Sequence, residues 1–433
     1  MHHILFEYEI SPPTWVYLSS LLTIGIYFKF RRFWSVRNLD LFGLIAFSPG
    51  LLLVGEGMEQ LGYTWLFCVG GFFLVRLLLD PVMVRRPLLE PNLSASGLTF
   101  TGVSLLVFLT ANVLTGRASE SDLEGALWAQ KPAGEAQLSE ETEPRQHGPG
   151  YAAFYELSDY ANISLTPAEG DDLKQMQRRD ARWAVARSVA ILGHLAVVIG
   201  MVLIGYRHFD NVHTGVAAAA LYLLIPYTSQ IPGQVDHVIP AALMVWAVEA
   251  YRRPAVAGIL LGLAAGLIFY PLFLLPLWCG FYWRRGLIRF GIGFVVPLLI
   301  LVASLAFTPE SLGTAADQLK QMCGLVGLSA DSASGFWEFH EPAFRIPVIA
   351  AFVALCGSLA LWPARKDLGT LLSCSAAVML GSQFWNAHYG GIYMAWYMPL
   401  LILTIFRPNL EDRVALSALT EGWVSWRRAS ARR

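Results

Sequence analysis

Residues 230–237 of this chain read Gln-Ile-Pro-Gly-Gln-Val-Asp-His, a polar turn set between two apolar runs. His237 can donate a hydrogen bond to a phosphate whether neutral or cationic; it can also be an amphipathic side chain bonded locally at a membrane surface. Asp236 has two readings as well, a site carboxylate or the cap of the helix that must follow. A second run, Ser119-Glu120-Ser121-Asp122-Leu123-Glu124, holds three acids that read in isolation as solvated loop residues. Tyr270 stands before Pro271 and offers a hydroxyl, or sits as a belt tyrosine at a bilayer surface. The cluster Phe336-Trp337-Glu338-Phe339-His340-Glu341 mixes rings that could stack on a sugar with acids and a histidine, and it could equally pin a loop to the membrane. Glu249 is followed three and four residues on by Arg252 and Arg253, which would neutralise it on the same helix. The five cysteines show neither metal-ligand spacing nor a disulfide framework.

The elements that must position these residues are membrane helices. The chain has 433 residues, of which 55% are hydrophobic and 15% charged, and its mean hydropathy is +0.50, values that exclude an ordinary soluble domain. A formal net charge of −1 argues against a nucleic-acid partner, and no Gly-rich phosphate loop points to a soluble nucleotide-sugar domain. Residues 1–12 carry Glu7 and Glu9 rather than a basic start, so the first apolar run reads as a retained span.

Apolar runs predict spans near 14–30, 39–55, 61–79, 97–115, 184–206, 211–228, 238–250, 255–268, 271–283, 286–307, 343–363, 367–385 and 391–406. The run from Ala255 to Trp283 is too long for one span, and the residue before a proline is pushed out of helical geometry, so it divides at Tyr270-Pro271. Arg and Lys in the short loops, including Lys29, Arg76, Arg207, Arg252, Arg284 and Lys366, then fall on alternate turns, which places the N-terminus outside and the C-terminus inside. Residues 116–183 form a long outer segment. A short helix is expected from Ser121 to Gln130, and Thr166-Pro167-Ala168-Glu169 has the spacing of a helix start that runs into the next span. The fold class is therefore an all-α polytopic membrane protein of about 13 transmembrane helices.

From about Leu98 to Phe307 the order of span, long acidic outer loop, two spans, polar turn and a span ending in basic residues resembles the GT-C superfamily of membrane glycosyltransferases. It is closest to the bacterial branch that uses polyprenol-phosphate sugars and includes mannosyltransferases. Gly233-Gln234-Val235-Asp236-His237 resembles that branch's Gly-Gln-x-(Asn/Asp) turn, and Ala257-Gly258 through Pro271 resembles its Ala-Gly-xx-Leu-Gly-Leu-Ala-xxx-Lys-Pro segment. Gly148-Pro149-Gly150-Tyr151 is similar to the Pro-Pro-x-Tyr stretch near the end of its first outer loop. The resemblance implies a division into spans within 1–96, a GT-C-like module in 97–308, an outer loop in 309–342, spans in 343–406 and a basic cytoplasmic tail in 407–433.

It also implies an activity. A mannose-like sugar would pass from a polyprenol phosphate to an acceptor at the outer face of the plasma membrane, with membrane lipids as surroundings and protein partners left open. Asp122, with Glu120 and Glu124 beside it, takes the place of the family's general base, and Gln234, Asp236, His237, Tyr270 and His340 would meet the donor. No cofactor is called for, and the use of a divalent metal stays open. Where the family often sets a lysine before the proline this chain has Tyr270, so charge on the phosphate would fall to Lys320, Arg345, His340 or His388. Two rivals stand beside this reading: a catalytically inactive GT-C-like scaffold, and a transporter in envelope assembly. A transporter calls for charges at mid-bilayer or a second copy of the broken-helix stretch, and the sequence has few of the former and none of the latter.

Overall fold

The computed structural model describes residues 11–83, 90–116, 150, 171–283, 285–305, 333–364 and 366–408, without the side chains of 171–182, 304, 305 and 342. Every regular element among them is helical, the arrangement in which a segment satisfies its own backbone groups without water. In chain order the helices are α1 (Pro12–Tyr27), α2 (Val36–Gly55), α3 (Glu59–Leu79), α4 (Ala95–Thr115), α5 (Asp171–Arg207), α6 (Val212–Leu224), α7 (Val235–Glu249), α8 (Pro254–Leu267), α9 (Leu275–Phe281), α10 (Leu287–Leu305), α11 (Arg345–Leu361), α12 (Leu368–Gln383) and α13 (Met398–Phe406). They start where the sequence supplies a cap: Ser35, Ser94, Asn211 and Asp367 accept the amides of Asn38, Gly97, Thr214 and Thr370, and Pro254 and Pro399 open α8 and α13.

Four segments, Val36–Gly55, Glu59–Val82, Ala95–Thr115 and Trp183–Arg207, are long and apolar enough to cross a membrane, and several shorter apolar helices accompany them. Their outward faces are apolar, as Phe100 and Phe108 on α4 and Ile288 and Leu299 on α10 illustrate, which suits a hydrocarbon surround.

The structure divides one long apolar run where expected and breaks two of the expected spans. The run 255–268 plus 271–283 divides as the X-Pro bond requires: α8 stops at Leu267, Ile268 is extended, and a 3-10 turn over Tyr270–Leu274 leads into the short α9. The run 211–228, expected to be continuous, is split before Pro226, whose ring takes the place of an amide donor, so that Pro226–Gln230 forms a separate helical turn. The run 391–406 is helical only from Met398. Residues 384–397 are irregular yet largely buried, with Tyr389 at φ 49° and Gly391 at φ 100° and the Gly391 amide bonded to Gln383 Oε1 at 3.1 Å. Hydropathy reads composition, and this stretch is apolar without being helical.

Helices α8 and α10 pack backbone to backbone: a Cβ on Gly258, Gly262 or Gly293 would run into the carbonyl of Phe290, Phe294 or Ala255. Much of the glycine spacing behind the family resemblance thus has a packing cause. The basic helix ends gather at one end of the bundle. There Arg76, expected as a loop charge, is buried in the last turn of α3 and grips Asp40 of α2 with two bonds of 3.0 and 3.1 Å. Asp80 joins Arg76 at 3.0 Å to Arg407 at 2.6 Å, so α2, α3 and the end of α13 share one ion network. Glu249, the last residue of α7, pairs with Arg207 of α5. His208 donates Nε2–H to the Glu249 carbonyl, and burial holds its imidazole below the ordinary range.

Candidate functional site

The opposite end of the bundle holds the polar turn. Its geometry is set from α5, where His194 bonds the Tyr222 hydroxyl at 2.9 Å through Nδ1 and the Pro232 carbonyl at 3.0 Å through Nε2. The carbonyl can only accept, so Nε2 carries the proton and Nδ1 accepts from the tyrosine. Asn112 at the end of α4 donates to the Ser229 carbonyl at 2.8 Å, and Arg187 donates to the Gly116 carbonyl at 2.9 Å. Four segments thereby fix the entry to α7.

Asp236 and His237 lie inside the first turn of α7, both buried. The capping reading of Asp236 is corrected: Gln234 is the residue before the helix, neither side chain caps it, and Asp236 sits one residue into it. The reason lies in the chain start, since the helix begins at Val235, three residues earlier than the apolar run suggests. His237 Nδ1 is 2.6 Å from the Tyr227 hydroxyl, and its Nε2 is 4.0 Å from Asp236 Oδ2. The Tyr227 hydroxyl and the imidazole share one proton across this bond, which holds the ring with its Nε2 edge toward the carboxylate.

The irregular segment 384–397 brings the rest. Trp396 donates Nε1–H to the Asp236 carbonyl at 3.0 Å. Tyr393 stacks on Trp396 at 4.4 Å and lies 4.8 Å from the His237 ring. Tyr270, at the break between α8 and α9, lies 5.0 Å from Trp396 and 5.6 Å from Trp385. It is buried, so the belt reading of Tyr270 is corrected: the proline break turns the ring inward to the site. Arg345 opens α11, donates Nε–H to the Trp385 carbonyl at 2.7 Å, and lies within electrostatic reach of the Tyr270 hydroxyl.

Of the residues singled out in the sequence, Asp236, His237 and Tyr270 therefore converge, with Arg345 beside them. Gln234 stands half-buried just before α7, two residues from Asp236. His340 does not join: it bonds the Phe336 carbonyl at 2.8 Å and stacks on the Phe336 ring at 4.1 Å, a local turn that keeps it there. Asp122, Glu120 and Glu124, the helix expected over Ser121–Gln130, the helix start at Thr166 and Lys320 lie outside the described residues. Between residues 117 and 170 of the outer segment, Gly150 is the one described residue. Gly150 is buried against the Gly266 carbonyl and Leu301, at the last turn of α8 just before the break.

Tyr227, His194, Tyr393 and Trp396 were missed by the sequence reading. For Tyr393 and Trp396 the signal was present in the aromatic density of residues 384–397 around Gly390-Gly391, a glycine pair that marks a non-helical backbone. Among the described residues no group of histidine, cysteine and carboxylate side chains is placed to hold a metal ion. The arrangement supplies an N–H donor, a carboxylate, a tyrosine hydroxyl and a guanidinium bordered by stacked rings. No protein-family model matches the chain, and no curated protein or solved structure matches it.

Proposed function

We propose that this chain is a GT-C-like membrane glycosyltransferase of about 13 spans that moves a mannose-like sugar from a polyprenol phosphate to an acceptor at the face opposite its basic end. The observation that carries the reading is the meeting of Asp236, His237 and Tyr270 on Trp396, with Arg345 alongside. These segments are far apart in sequence and meet at the end away from the basic loops. That is the depth at which a lipid phosphate on the outer leaflet of the plasma membrane would carry its sugar, given an outside N-terminus.

In this reading the acceptor hydroxyl attacks the anomeric carbon, the bond from that carbon to the phosphate oxygen breaks, and polyprenyl phosphate leaves with the electron pair. Asp122, flanked by Glu120 and Glu124, takes the hydroxyl proton. Arg345 and the His237 imidazole meet the charge that builds on the phosphate, and Tyr270 adds a hydroxyl at the position where the resembling family often sets a lysine. Tyr393 and Trp396 offer flat faces to a sugar, and Gln234 stands beside them at the start of α7. The packing of Gly150 on the last turn of α8 supports a return of the outer segment toward this site.

Replacement of Asp122 by Asn keeps size and hydrogen bonding and removes basicity. It is expected to lower mannose transfer from polyprenol phosphate mannose about a hundredfold or more, with Glu120→Gln and Glu124→Gln affected less. Assays on membranes containing each variant decide it, and wild-type turnover in all three would exclude this acid run as the base.

A further inference from the structure

The loop between α1 and α2, Phe28-Lys29-Phe30-Arg31-Arg32-Phe33-Trp34, takes no part in the proposed site. Its backbone is held from within. Asn38, fully buried, accepts the Lys29 amide at 3.1 Å and donates to the carbonyls of Lys29, Arg32 and Phe33 at 3.0, 3.0 and 3.1 Å. Asn92 ties the loop from the other side, donating to the carbonyls of Gly25 and Phe28 and accepting from Lys29 Nζ at 3.1 Å. Phe28 is a buried hub whose ring meets those of Phe30, Phe33 and Phe42 at 4.9–5.4 Å. Backbone and hub are satisfied inside, so the remaining side chains are displayed outward on a fixed frame.

What they display is an alternation of rings and cations: Phe30 is 70% exposed, Phe33 50% and Trp34 83%, with Arg31 and Arg32 exposed between them. Neither guanidinium has an ion pair or hydrogen bond among the described residues. Three large rings standing in water would be costly, and at the headgroup level of a bilayer they are at home. Two guanidiniums beside them match a phosphodiester, which a planar fork grips with two bonds.

We infer that this loop is a preorganised docking site for the headgroup of an anionic phospholipid. The rings enter the headgroup boundary, and Arg31 and Arg32 hold the phosphate. The inference rests on the membrane placement of the chain and is independent of the sugar-transfer reading, so either can fail alone.

The test places full-length protein in nanodiscs of mixed phosphatidylglycerol and phosphatidylcholine, then extracts it in detergent and counts the lipid that co-purifies. Wild-type protein is expected to retain phosphatidylglycerol in preference to phosphatidylcholine. Arg31→Gln/Arg32→Gln is expected to lose that preference about tenfold, and Trp34→Ala to lose part of it. Both arginines are exposed, so an unchanged thermal midpoint will show the double variant folded. Undiminished preference in the double variant, or no preference in the wild type, overturns the site.

Discussion

His237→Gln is expected to lower sugar transfer at least a hundredfold while the protein remains folded. The imidazole is held in place by the bond of its Nδ1 to the Tyr227 hydroxyl at 2.6 Å, and loss of a preorganised group that meets a developing oxyanion costs about 10²–10³ in turnover. Glutamine keeps a polar amide in the buried space but places its N–H differently. Tyr227→Phe separates orientation from contact: it removes only the hydroxyl that fixes the ring, and is expected to cost about tenfold or more in kcat, with KM changed less. Steady-state transfer from polyprenol phosphate mannose at several donor concentrations measures both. Wild-type kcat in His237→Gln would remove the histidine from the chemistry and leave it a packed residue of the α7 start.

The second large effect belongs to the other end of the bundle. Arg407→Met is expected to destabilise the fold by about 3 kcal/mol, because it strips an arginine that is ion-paired to the fully buried Asp80. Arg76, also paired to Asp80, is shared with Asp40. Arg407 stands one residue past α13, so the loss should loosen that helix against α2 and α3. Arg407→Lys keeps the charge but not the fork and should recover part of the loss. Thermal unfolding in detergent, read by intrinsic fluorescence, is expected to fall by about 5 °C or more for the methionine variant. A change within about 1 °C would mean that the network contributes little net stability.

How much of this was legible in the sequence differs by feature, and the difference has physical causes. The break at Tyr270-Pro271 was legible because proline acts on its own neighbour, and no tertiary context is needed to read it. The irregular stretch 384–397 was not, because window hydropathy is blind to backbone conformation and its polar groups are satisfied by distant partners such as Arg345 and Trp337. Gly390-Gly391 was the available hint. The ion network was hidden for another reason. Arg76 and Arg407 look like loop and tail charges at span ends, and only packing shows that they pair with Asp40 and Asp80 from two other segments. In the site, Asp236 and His237 stood out as polar residues before an apolar run. Tyr227 and Trp396 did not, since a buried aromatic with one polar handle looks like core in a sequence.

The central claim is that this chain transfers a sugar from a lipid phosphate at the end opposite its basic loops. Its most direct test is transfer of radiolabelled mannose from polyprenol phosphate mannose to the hydroxyl-bearing acceptors of an added membrane extract by wild-type protein in liposomes, with mixed orientation so that both faces are accessible. The account predicts transfer at least a hundredfold above protein-free liposomes, abolished in an Asp236→Asn/His237→Gln double variant of unchanged thermal midpoint. Folded wild-type protein that gives no transfer above the protein-free control would contradict it and favour the inactive scaffold.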